Sequence, residues 1–262
     1  MHVQTAVPPG GQAEPGEPII RQYSLRKILG VWAAAAVPMA VLSWVAAPLL
    51  EDRLSGPEPL AKALILFMTA GLAWQFVLVL LLVRSELGQL RWSSMRDALW
   101  LRSPHDQKTG RTGGRLWLWA LLFILLTGVW QLVPGLPAPA ARDFAAILES
   151  DRGELLFEGA WGWFAILVVM GLFNTVLGEE LLFRGVLLPR MQGVFGRRDW
   201  IANGVLFAAY HLHMPWVIPS ALADTFLYAY PARRFRSAWM GILVHSAQTV
   251  VISLLVLFLV LG

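Results

Sequence analysis

Among the stretches of this chain that run for twenty residues or more without a charged side chain are 28–50, 63–83, 116–141, 159–178 and 237–262. A helix rises about 1.5 Å per residue, so each is long enough to span a hydrocarbon layer of about 30 Å. Only 15% of the 262 residues are charged and the mean hydropathy is +0.59. That is too few charges to clothe a soluble globule, and it excludes a soluble enzyme, a disordered protein and a nucleic-acid-binding module. The expected fold is an all-α polytopic membrane bundle.

The rest of the chain fills in that plan. Residues 1–20 are rich in Pro and Gly and carry no apolar run, so they read as a disordered tail rather than a signal peptide. Pro38 is expected to kink the first span, and the third is expected to leave the membrane near Pro134. The segment 200–232 is broken in its middle by Pro215 and Pro219. It reads as two short crossings, with a re-entrant hairpin as the alternative, which brings the total to about seven spans. Between the second and third spans, 87–101 mixes Leu90, Trp92, Met95 and Leu99 with Arg91, Arg96 and Asp97, the pattern of an amphipathic helix lying in the interface. Domain organisation is then N-terminal transmembrane helices over 21–157 followed by a functional bundle over 158–262.

Net charge is +4, and its distribution gives an orientation. The N-terminal tail and the loops 84–115, 184–198 and 233–236 hold 17 Lys and Arg, while the alternate loops hold 4. By the positive-inside rule the N-terminus is cytoplasmic. Absence of cysteine removes disulfides, thiolate metal sites and a cysteine nucleophile. Arg outnumbers Lys 18 to 3, a bias in keeping with a GC-rich bacterial genome and so with a bacterial plasma membrane.

Polar groups at membrane depth are costly and mark function. Here they cluster after residue 178: Glu179, Glu180, Arg184, His211, His213, Asp224 and His245. On a helix Glu180 and Arg184 are i,i+4 neighbours able to form an ion pair. Glu179 is turned about 100° from Glu180, which leaves it free to act as a base. Phe207 and His211 are likewise i,i+4, whereas His213 is about 200° from His211 and is expected to be structural. Gln248 and Thr249 follow His245 at i+3 and i+4. Asp224 either lines the same cavity or makes a structural contact.

Taken together, Glu179-Glu180-Leu181-Leu182-Phe183-Arg184-Gly185, then Phe207-Ala208-Ala209-Tyr210-His211, then His245 in the last apolar run, resemble the motifs of the CAAX protease and bacteriocin-processing (CPBP, or Abi) family over roughly 160–255. The family's Asn four residues after this His is here Thr249, with Gln248 beside it. The resemblance implies an intramembrane endopeptidase with its site in a cavity open to the cytoplasm. Its substrate would be a membrane-anchored peptide or protein, and its partner the lipid bilayer.

The chemistry fits that implication. Glu179, assisted by His211, can polarise a water, and His245 with Gln248 or Thr249 can donate to the oxyanion. Glu180, Arg184, Phe207 and Asp224 support the site. No cofactor is favoured, although Glu179, His211 and His245 could instead form a His₂Glu zinc site. A transporter with a buried Glu/Asp/His path and an inactive scaffold of the protease fold are the competing readings.

Overall fold

A computed structural model describes residues 20–130 and 136–262. The expected tail therefore lies outside the described residues save for Ile20, as does the exit near Pro134. The architecture is helical throughout apart from a two-residue hairpin. Helix α1 is Leu25–Glu51, α2 Pro59–Leu87, α3 Trp92–Ala98 and α4 Leu118–Trp130. Strands β1 (His105–Asp106) and β2 (Arg111–Thr112) pair antiparallel between α3 and α4. The short helices α5 (Phe144–Leu148) and α6 (Asp151–Phe157) lead into α7, Trp161–Arg190. Helix α8 is Asp199–Tyr210, α9 is the continuous helical run 218–234, and α10 is Ala238–Leu261.

Local sequence accounts for the ends. Ser24 caps α1 by accepting from the Lys27 N–H, Pro59 opens α2, and Gly88 closes it with φ of 69°, a value that L side chains rarely adopt. Pro38 does not break α1. Lacking an N–H, it orphans the carbonyl of Ala34 one turn earlier. Trp74 of α2 donates its indole N–H to that carbonyl at 2.8 Å, so the defect becomes a tie between two helices. A π-helical turn over Leu42–Ala46 follows. The same two helices close up where Gly71 faces Met39, since any Cβ there would collide with the methionine sulfur.

Among the described residues four helices are long and apolar enough to cross a membrane: α1, α2, α7 and α10. The other expected crossings are not among these four. Helix α4 is described only as far as Trp130, over 13 residues. The segment 200–232 folds back on itself as a hairpin. Its limb α8 has 12 residues, about 18 Å, and Arg233 at the far end of α9 bonds Asp199 at the start of α8 at 2.6 Å. Both limbs thus begin and end at one level. At the turn, helical hydrogen bonding lapses, and α1 supplies the missing donors. Trp44 Nε1 reaches the Leu212 carbonyl at 2.9 Å and Ser43 Oγ the His213 carbonyl at 3.0 Å.

The amphipathic helix is shorter than expected. Helix α2 runs on through Leu87, α3 covers only seven residues, and Leu99, Trp100 and Leu101 are buried beneath α7 rather than lying along an interface. One apolar core joins α1, α2, Leu99–Leu101, α7, α8 and α10, so residues on both sides of position 157 pack together. Leu121, Leu125, Val250, Leu254 and Phe258 point outward from α4 and α10, as a lipid-facing surface requires.

Candidate functional site

Helix α7 carries the two carboxylates at a special place in its own geometry. Two π-helical stretches, Phe173–Gly178 and Leu181–Leu187, flank Glu179 and Glu180. Such turns widen the helix, leave i→i−4 bonding, and recur at functional sites. Both glutamates are buried.

Glu180 forms the i,i+4 pair with Arg184 at 3.2 Å, and both side chains are fully inaccessible. It also meets His245: Nδ1 and Glu180 Oε1 are 3.1 Å apart. Close approach of α10 to α7 allows this, because Gly241 presents no side chain where an added Cβ would fall 2.5 Å from Glu180 Oε2. Arg184 is enclosed by aromatic faces, its guanidinium carbon 4.1 Å from the Phe207 ring centre and 5.4 Å from that of Tyr228. None of its three guanidinium nitrogens completes a hydrogen bond of good geometry.

Glu179 faces a different set of groups. The Tyr210 hydroxyl lies beside it and accepts from Gln75 Nε2 of α2 at 2.6 Å. Asn174, with its amide nitrogen turned to the carboxylate, donates to both oxygens at 3.0 and 3.2 Å. Glu179 thus receives hydrogen bonds as an ionised carboxylate would, while Glu180 is engaged by a guanidinium and an imidazole.

His211 Nδ1 lies 2.9 Å from the Phe207 carbonyl, which can only accept. The ring proton is therefore on Nδ1 and Nε2 is left as the acceptor. The ring of Phe207 makes edge contacts with both imidazoles, 5.0 Å to His211 and 6.2 Å to His245. The expected gathering of Glu179, His211 and His245 thus takes a modified form. His245 bonds Glu180, and Phe207 touches both histidines.

The separation of His211 from His213 fails for a physical reason. Helix α8 ends at Tyr210 and the chain tightens into a 3₁₀ turn, so the 200° offset of an α-helix no longer applies. The two rings stack at 5.4 Å.

On α10, Tyr228 donates to Gln248 Oε1 at 2.7 Å, which leaves the Gln248 amide nitrogen to face elsewhere. Thr249 instead packs its methyl against Gly171. Asp224, at the end of the first stretch of α9, is within electrostatic range of His245 and Arg184. His245 engages Glu180, and His211 the Phe207 carbonyl, through Nδ1 alone, which leaves both Nε2 atoms open. Among the described residues no three acidic or imidazole side chains are grouped closely enough to hold a metal ion.

Four residues of this cluster escape sequence reasoning: Gln75, Asn174, Tyr210 and Tyr228. Tyr210 and Asn174 flank motif residues and could have been suspected from that alone. Gln75 and Asn174 offered the clearest signal, each the lone amide of an apolar run, 63–83 and 159–178.

Residues 160–251, which hold every residue of the cluster except Gln75, match the family model described as type II CAAX prenyl endopeptidase Rce1-like. Over this segment the chain is similar to the CAAX protease family. No curated protein and no solved structure matches the chain. An integral membrane protein with a CAAX-type endopeptidase segment is thus what fold and family together support.

Proposed function

We propose that the chain is an intramembrane endopeptidase in which Glu179 activates water to attack the scissile carbonyl of a membrane-associated peptide. The observation that carries this reading is the contrast between two adjacent buried carboxylates. Glu180 is ion-paired with Arg184, whereas Glu179 takes its hydrogen bonds from the neutral Asn174 amide and, among the described residues, has no ion-pair partner. A base needs that second environment. His211, with Nε2 as its free acceptor, assists Glu179. Glu180 and Arg184 orient His245, whose Nε2 donates with the Gln248 amide to the oxyanion. Phe207 spaces the two imidazoles. In this mechanism no metal is required, so prolonged chelation should leave cleavage intact. Loss of activity restored by zinc would recast the residues as ligands.

Orientation follows the basic loops, with the N-terminus in the cytoplasm of a bacterial cell and the site reached from that face. Because the chain has no cysteine, single cysteines at 151 and 197 report sidedness with an impermeant thiol reagent. Labelling of 197 from outside intact cells would reverse the assignment.

The decisive experiment compares membrane-peptide termini in cells carrying wild type, Glu179→Gln or His211→Ala. New termini should appear only with wild type. Identical termini in all three would end the peptidase reading.

A further inference from the structure

At the end of the molecule away from Arg197 and Arg233 lies a cavity of about 620 Å³. Its walls come from the first third of α2, α7 near Met170, the segment 136–147 and the turn of the α8–α9 hairpin. Ala61 and Met68 are the third and tenth residues of α2, so the cavity reaches from about 3 to about 14 Å along that helix. That is the depth of one leaflet's acyl region.

The lining is mostly apolar, with Ile65, Met68, Phe144 and Met170 among its residues. Its polar groups are largely committed to the chain itself. Ser43 Oγ donates to the His213 carbonyl, Ser220 Oγ donates to the Val217 carbonyl, and Asp143 caps α5 by accepting from the Ala146 N–H. Two are left. Arg142 is fixed by Ser43 and by the face of Trp44 at 4.2 Å, and among the described residues no carboxylate lies within ion-pair distance of it. His213 is buried, and its Nδ1 has no hydrogen-bond partner.

An extended peptide here would leave its own N–H and C=O groups without partners, which is costly in an apolar site. An acyl chain asks for none. We propose that the cavity binds one acyl chain bearing an acidic head group, the chain lying between α2 and α7 and the head group on Arg142. A carboxylate and a phosphate present the same chemistry to a guanidinium. His213 stacks on His211, so an occupant would touch the imidazole pair from the side opposite Arg233. The site is independent of the peptidase reading, and its occupancy is measured without any cleavage.

The test uses the purified full chain in detergent with cis-parinaric acid as fluorescent probe, displaced by oleate or by oleyl alcohol. Oleate should displace it at about tenfold lower concentration than the alcohol, the effect of one charge-assisted contact. Arg142→Gln should erase that preference. Leu64→Trp should abolish probe binding by filling the cavity, and Ala61→Leu serves as a milder filling variant should Leu64→Trp fail to fold. In nanodiscs containing phosphatidylglycerol, retention of that lipid by wild type but not by Arg142→Gln would assign the head group to a phospholipid. Retention by neither, with oleate still preferred, would assign it to a free fatty acid. Equal displacement by acid and alcohol, unchanged binding in both filling variants, or displacement by an apolar peptide but not by oleate would overturn the proposal.

Discussion

Arg184 and Arg190 lie six residues apart on one helix, and both are almost wholly buried, yet they are treated in opposite ways. Arg190 saturates its donors. Nε and the second guanidinium nitrogen bond Glu86 at 3.0 and 2.8 Å, and the first bonds the carbonyls of Ala98, Gly185 and Val186. Arg184 has one carboxylate at ion-pair distance and aromatic faces around it, with no completed hydrogen bond. A buried arginine that serves only the fold is expected to look like Arg190. One left with open donors beside a second carboxylate is poised for something other than packing.

That contrast can be broken most forcefully through the neighbouring base. Glu179→Gln keeps the size of the side chain and can still accept from Asn174. Cleavage should fall by about 10²–10⁴, the usual contribution of a general base, with thermal stability unchanged. A large drop in melting temperature would place Glu179 with the structural groups instead.

Next come the two arginines themselves. Arg190→Ala leaves Glu86 with Lys27 as its remaining ion-pair partner, at 3.3 Å, and should cost roughly 1–3 kcal/mol of stability while the turnover of folded molecules stays normal. Arg184→Ala should lose turnover beyond what its folded fraction explains, read by normalising cleavage to folded protein from size-exclusion profiles. Equal behaviour of the two variants would erase the distinction.

A finer test addresses the donors on α10. Gln248→Ala should lower turnover by about 10²–10³, as for one oxyanion donor. Thr249→Val should change little, since the Thr249 methyl already packs on Gly171. If Thr249→Val is the crippling change, the hydroxyl is the donor.

The smallest effect lies at the surface. Arg234 donates to Asp106 at 2.8 Å, and with the Lys108 N–H this pushes the Asp106 carboxyl down to about 2. A depressed value means the folded state favours the charged form. The contribution is therefore present above the ordinary aspartate value of 3.8 and is lost as pH falls toward 2. Asp106→Asn should flatten the pH dependence of melting temperature between about 4 and 2 and leave it unaltered at pH 7. An unchanged slope would show that the pair does not form in solution.

The sequence was most legible where one physical term dominates. The charge-free runs at 28–50, 63–83, 159–178 and 237–262 fall on α1, α2, α7 and α10, because burying uncharged residues across a bilayer leaves little choice. The Glu180–Arg184 pair followed from helical spacing alone. What was hidden depends on departures from ideal helices. Nothing in Phe173–Leu187 announces two π-turns, and those turns set which way each glutamate points. The stacking of His211 on His213 depends on α8 ending at Tyr210, a boundary that apolar periodicity does not mark. The segment 200–232 was ambiguous because Pro215 and Pro219 fit either reading, and the Asp199–Arg233 bond, which puts both ends at one level, is common to both. Gln75 reaches Tyr210 from 135 positions away, a partnership no local pattern contains.

The hairpin also bears on how the protein is made. Neither of its limbs is long enough to enter a bilayer as an independent span, and its exposed turn carbonyls are taken up by Trp44 and Ser43 of the first helix. During synthesis it must therefore wait for earlier helices to receive it. The His245 that completes the cluster emerges later still, on the final helix. A ribosome-bound chain thus carries its glutamates into the membrane well before the partner imidazole arrives, and the assembled centre comes into being only once α10 has been made.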